Sequence, residues 1–265
     1  MKRVLSAAVF LPLFYLVVRL PPGFFDALIA VACVLALLEL YRLAAAGGMR
    51  CNRAAGILLA LAVLYSFSDP QRFPVSLPLV AGVVIVPVLS LLGRRPFEES
   101  LGSDAATVFA ALFLGTLLGY QIGLRRLGDE LGGDLVFLLF LVVWAGDAAA
   151  YYVGSALGRR PLSPRISPRK TLEGALAGAA ASLLAALVAR AWFFPQLRIA
   201  DCLAIGLLLS GAGVLGDLVE SMWKRGAGAK DSASLVPGHG GVLDRCDSLL
   251  FGGPILYYYF LHCMG

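Results

Sequence analysis

"GDLVFLLFLVVWAGDAAAYYV", residues 133–153, is apolar over nearly its whole length and yet carries Asp147. About 20 apolar residues in a row suffice to cross a bilayer. Runs of this kind recur from one end of the 265-residue chain to the other. Nine candidate spans are read, near 4–20, 24–45, 54–68, 74–93, 105–124, 133–153, 174–194, 201–221 and 248–264. The third is short, and Pro87 is expected to kink the fourth. Composition agrees, at 59% hydrophobic and 15% charged, where a soluble domain carries roughly 25% charged residues. The fold class expected is all-α, a polytopic integral membrane protein of about nine transmembrane helices.

The net charge of +5 informs through its placement and is no nucleic-acid footprint. With the N-terminus inside, 16 of the Lys and Arg residues fall in cytoplasmic segments and 6 on the opposite side. Basic residues favour the cytoplasm, so the N-terminus is expected there. The polar loops 154–173 and 222–247 then face the side on which soluble nucleotides are found. The first apolar run resembles a signal peptide after Lys2 and Arg3. However, "RLPPGFF" follows it instead of a small-residue cleavage site, so it is read as a retained helix. The five cysteines form no CxxC pair and are expected to be inert thiols, with neither a disulfide framework nor a zinc site.

Three polar constellations interrupt this apolar background. In the first, Trp144–Gly174, Asp147 lies near one end of an apolar helix, where an ionised carboxylate needs a partner or a wet cavity. Tyr151 shares its helical face. Ser167, Arg169, Lys170 and Thr171 then precede the next helix, a cationic, hydroxyl-rich approach that suits an anion such as phosphate. Positive-inside charge alone also accounts for these residues. In the second, Asp217, Glu220, Ser221 and Lys224 recur at i, i+3, i+4 and i+7, one polar stripe if the eighth helix continues that far. An interhelical hydrogen-bond seam is the plainer reading.

The third constellation is "KDSASLVPGHGGVLDRCDS", residues 230–248. Asp244 and Asp247 would share a face of a helical turn, with Arg245 between them in sequence. Close carboxylates repel unless a cation intervenes. Such oxygen ligands suit Mg²⁺, which is held by one or two carboxylates plus phosphates and water. Gly238, Gly240 and Gly241 around His239 let backbone amides approach a phosphate. A salt-bridged interfacial loop fits these residues too. Taken together, acids for a metal and bases for phosphate are the equipment of phosphoryl or nucleotidyl transfer, which needs positioning and charge stabilisation above all.

"SMWKRGAGAKDSASLVPGHGGVLDRCDS", residues 221–248, closely resembles the signature of phosphatidate cytidylyltransferases, the CDP-diacylglycerol synthases. "SPRKTLEG", residues 167–174, and the Asp147–Tyr151 stretch resemble that family's preceding motif. Trp223, Val236 and Cys246 stand where mostly aliphatic residues are expected, and Arg169 where lysine is common. The resemblance implies an integral membrane enzyme that joins CTP and phosphatidic acid, releasing pyrophosphate and CDP-diacylglycerol. It further implies Mg²⁺, an associated potassium ion, and a helical bundle that forms homodimers. Residues 1–130 would then be N-terminal transmembrane helices. Residues 131–265 would be a transmembrane catalytic region with cytoplasmic-facing motifs at 144–174 and 216–248.

Roles follow from that resemblance. Asp217 and Asp244 are expected as metal ligands, with Asp247 and Asp231 as further ligands or orienters. Lys224, Arg225 and Lys230 are expected to hold phosphates, and Arg245 to do the same or to orient carboxylates. His239, Gly240 and Gly241 would line a phosphate cradle, while Ser167, Arg169, Lys170, Thr171 and Ser221 would contact substrate. Asp147 would assist the metal or polarise the site. A bacterial cytoplasmic membrane is the expected location, with no nucleic-acid partner. The rival is a CTP-dependent lipid or polyprenol kinase, which would move the γ-phosphoryl group. A transporter would spread its acids through the membrane depth, whereas here they cluster at one face.

Overall fold

The computed structural model describes residues 12–93, 96–228 and 241–264. The expected residues Lys230, Asp231, His239 and Gly240 therefore lie outside the described residues. After a helical stretch at 12–19 (α1) come α2 (Pro22–Ala46), α3 (Arg53–Ser68), α4 (Ser76–Leu92), α5 (Phe97–Arg125) and α6 (Asp129–Leu157). A hairpin of β1 (Pro161–Ser163) and β2 (Ser167–Thr171) leads to α7 (Leu172–Trp192), α8 (Ile199–Gly226) and α9 (Leu243–Tyr259), which runs on as a π-helical turn, Phe260–Met264.

Without water in the bilayer, backbone groups must be satisfied within each segment, and helices do this. α2, α5, α6, α7 and α8 are long and apolar enough to cross a membrane, while α3 and α4 are shorter. Punctuation sets their limits. Pro22 opens α2, where its missing N–H is no loss. Asn52 accepts from the Ala55 amide at 3.2 Å and starts α3. Asp201 accepts from the Arg198 amide at 2.9 Å at the start of α8. Large apolar residues cover the outside as well as the core; on α4, Leu77, Val80, Val83 and Val84 are all exposed. A bundle that is apolar on both its inner and outer faces is built for lipid.

α5 packs against α2, α3, α4, α6 and α9, and α2 also touches α9. The N-terminal helices thus lie directly against the C-terminal ones. α6 and α7 form the tightest pair, through small residues spaced four apart. Gly146, Ala150 and Gly154 face Gly174, Gly178 and Ser182. A Cβ on Gly174 would come within 2.7 Å of the Ala150 carbonyl, and one on Gly146 within 2.4 Å of Ser182 Oγ. Close backbone approach through small residues is a main attraction between helices in lipid.

Two expectations need correction. The stretch between α6 and α7, expected as a loop, contains an antiparallel hairpin pairing Pro161 with Thr171 and Ser163 with Ser167. Prolines at 161, 164 and 168 bar a helix there, but each is tolerable at a strand edge or turn. The eighth span, expected to stop near 221, runs to Gly226. Its added turn carries Lys224, which has partners inside the bundle.

Candidate active site

One end of the bundle gathers the hairpin, the C-terminal turns of α6 and α8 and the first turns of α7 and α9. α8 supplies the polar stripe as its spacing implied. Ser221 donates to Asp217 Oδ1 at 3.2 Å. Lys224 Nζ donates to Asp244 Oδ1 of α9 at 2.6 Å and stands 3.5 Å from Glu220 Oε1. Lys170, from β2, forms an ion pair with Asp217. Arg225 Nε reaches the Ile166 carbonyl at 3.4 Å. Two cationic side chains therefore fasten the hairpin to α8.

The carboxylates of Asp147, Asp217 and Asp247 are near enough to act on one another electrostatically. α8 and α9 make this possible at Gly216, where a Cβ would stand only 2.2 Å from the Asp247 carbonyl. Asp247 is 9% exposed, and its Oδ1 accepts from the Ser248 amide at 2.6 Å. Ser248 Oγ lies 3.4 Å from Asp147 Oδ1. Asp147 also lines a cavity of about 20 Å³ with Gly146, Gly178, Ser182, Ser210 and Gly213, room for about one water.

Some expected roles look different in place. Thr171 Oγ1 accepts from the Gly174 amide at 3.2 Å and so caps α7, a contact worth about 1 kcal/mol. The Gly241 amide donates to Asp244 Oδ2 at 2.9 Å, so that N–H is engaged within its own helix start. Ser167 pairs with Ser163 across the hairpin. Arg169 and Arg245 are exposed at the same end of the bundle.

Two acids carry more than the sequence reading assigned them. Glu220 is 2% exposed, and neither carboxyl oxygen has a hydrogen-bond partner among the described residues. Asp244 and Asp247 both lie within its electrostatic reach. A buried acid is costly unless neutralised by a proton or a cation, and Lys224 Nζ stands 3.5 Å from Glu220 Oε1. Glu39 of α2, which was given no role, accepts from the Val242 and Leu243 amides. The signal available for it was a lone acid in an apolar span.

Among the described residues, no three His, Cys, Asp or Glu side chains stand at coordinating distances as they are. The donor set still fits a hard divalent cation. Mg²⁺ needs only one or two carboxylates beside phosphate and water, and Glu220, with Lys224 3.5 Å from its Oε1, lies next to Asp244 and Asp247. Lys170 and Lys224 stand beside these acids.

The cytidylyltransferase family model matches residues 1–263. A phosphatidate cytidylyltransferase of Synechocystis sp. is 34% identical, over 97% of this chain and 95% of that protein. One of Bacillus subtilis is 36% identical, over 96% and 94%. One of Brucella suis is 45% identical over a shorter stretch, 57% of this chain and 55% of that protein.

Proposed function

The chain belongs to the cytidylyltransferase family, and from that premise we propose how its polar end carries out the reaction. It is an integral membrane nucleotidyltransferase that makes CDP-diacylglycerol from CTP and phosphatidic acid, in phospholipid biosynthesis. The lipid's phosphate monoester is anionic near neutral pH and needs no strong base. One of its oxygens attacks the α-phosphorus of CTP in line. A new P–O bond forms there as the bond to the β-phosphate oxygen breaks, and pyrophosphate leaves with the electron pair.

Two anions must meet, so repulsion is the main obstacle to approach. Lys224, Arg225 and Lys170 offset it, holding phosphates at the positions where Asp244, the hairpin and Asp217 now hold them. Removing one preorganised charge stabiliser of this kind costs on the order of 10²–10³ in rate. Asp217, Asp244 and Asp247, with Glu220 beside them, would hold Mg²⁺, and a monovalent cation such as K⁺ is a further expectation. Bound there, Mg²⁺ would neutralise charge on the transferring and leaving oxygens. Asp147, through Ser248, would keep the Asp247 turn oriented.

The site would face the cytoplasm of a bacterial inner membrane. The bias of basic residues and the bacterial relatives support this reading. A homodimer rests on the family resemblance. The observation that carries the mechanism is the meeting of Lys170 and Lys224 with Asp217, Asp244 and Glu220 at one end of the bundle. Purified protein given CTP labelled in cytidine, or separately in the γ-phosphate, tests the reaction. Cytidine label in the lipid is expected, and only with Mg²⁺ present. Lipid labelled by γ-phosphate alone means a kinase, and transfer in excess chelator removes the metal from the mechanism.

A further inference from the structure

α9 begins with amides that have no partner in their own helix. Gly241 donates to Asp244 within the same turn. Val242 and Leu243 instead donate to Glu39, one to Oε1 and the other to Oε2, each at 2.9 Å. Glu39 sits on α2, 203 residues before Val242, and is 0% exposed. A carboxylate whose two oxygens grip successive amides fixes a helix end in both place and direction, where a single bond leaves a swivel. Its charge also suits the positive end of the helix dipole.

The gripped turn is the one that bears the reacting end's acids. Asp244 follows Leu243 directly and pairs with Lys224, and Asp247 lies one turn on against Gly216. The grip therefore sets the register in which these acids meet α8. We propose that Glu39 is a positioning residue for cytidylyl transfer, acting through the start of α9 from the N-terminal half of the chain. This rests on the function proposed above for its activity readout only.

The test compares wild type with Glu39→Gln and Glu39→Ala as full-length purified protein. Glutamine keeps the length but turns one acceptor into a donor that faces a backbone N–H; alanine removes both acceptors. Turnover per folded molecule should fall roughly tenfold in Glu39→Gln and hundredfold in Glu39→Ala, the scale of a small misplacement of reacting groups. The half-saturating Mg²⁺ concentration should rise severalfold. Hydrogen exchange should quicken in the peptide covering 241–247 while the α6–α7 pair keeps its protection. If Glu39→Ala does not fold, Glu39→Gln decides. Wild-type turnover and Mg²⁺ dependence in Glu39→Gln overturn the proposal. So does a loss of activity that tracks only a general loss of protection across the bundle. Wild-type protein that makes no CDP-diacylglycerol sinks the proposed reaction instead, and exchange at 241–247 still judges the grip.

Discussion

Lys224 and Asp244 join the last turn of α8 to the first turn of α9 across 2.6 Å. The ammonium's side chain is 13% exposed and the carboxylate's 21%, so water screens the pair only in part. Lys224 also stands beside Glu220, and its loss removes the cation that both acids share. Breaking a buried pair by removing one partner costs about 3–5 kcal/mol; the partial exposure here places the cost below that. Lys224→Ala should lower turnover by about 10²–10³ and also lower the melting temperature. A double variant with Asp244→Asn should recover part of the stability and none of the activity. Thermal melts with initial-rate assays measure both, and wild-type turnover in Lys224→Ala would falsify its role in holding phosphate.

Glu220 offers the opposite balance of stability and activity. Among the described residues its two buried oxygens accept no hydrogen bond, and Lys224, 3.5 Å away, is the cation beside them. Glu220→Gln keeps the shape and removes the charge. Stability should hold or rise, while turnover drops by at least about tenfold, the trade expected where a site is built against its fold. The measurement is a melting curve beside a titration of activity against Mg²⁺. A less stable variant with unchanged turnover would make Glu220 a structural member of the α8–α9 seam.

How much of this was legible follows from what each signal encodes. Apolar runs about 20 residues long read directly as helices, because a bilayer fixes the length. The stripe of Asp217, Glu220, Ser221 and Lys224 was legible because 3.6-residue spacing places those side chains on one face. Spacing does not say what stands opposite that face. Hence the partners, Lys170 for Asp217 and Asp244 for Lys224, emerge only from the fold. The hairpin escaped because strands of three and five residues, broken by prolines, carry no period to detect. Glu39 escaped because its two amide partners lie more than 200 residues away in the chain.

The Lys170–Asp217 pair tests whether the hairpin serves the chemistry or only the fold. Both side chains are partly open, at 23% and 37%, and pairs this exposed contribute about 0–1 kcal/mol to stability. Lys170→Ala should therefore melt within about 1 kcal/mol of wild type. Its turnover should nevertheless fall by about 10²-fold if the ammonium meets a substrate phosphate. Lys170→Arg keeps the charge and should restore a substantial part of the rate. Equal rates in all three proteins assign Lys170 to holding the hairpin and nothing more.

Gly216 and Gly211 lie on the same helix and separate close packing from general helix propensity. A Cβ at Gly211 meets nothing within 4 Å, whereas one at Gly216 would stand 2.2 Å from the Asp247 carbonyl and 2.9 Å from its carbon. The obstacle at Gly216 is backbone, which cannot rotate away as a side chain can. Gly211→Ala should keep turnover and gain up to about 0.5 kcal/mol by restricting the unfolded chain. Gly216→Ala must push α9 away from α8, at a cost of about 1–3 kcal/mol. That shift moves Asp247 away from Asp217 and Asp244 away from Lys224. Its activity should therefore fall further than its stability, with a higher Mg²⁺ requirement in the fraction that remains folded. Comparable turnover in the two alanine variants would mean that the α8–α9 spacing is slack, and that the acids of α9 need not meet α8 at this distance for cytidylyl transfer.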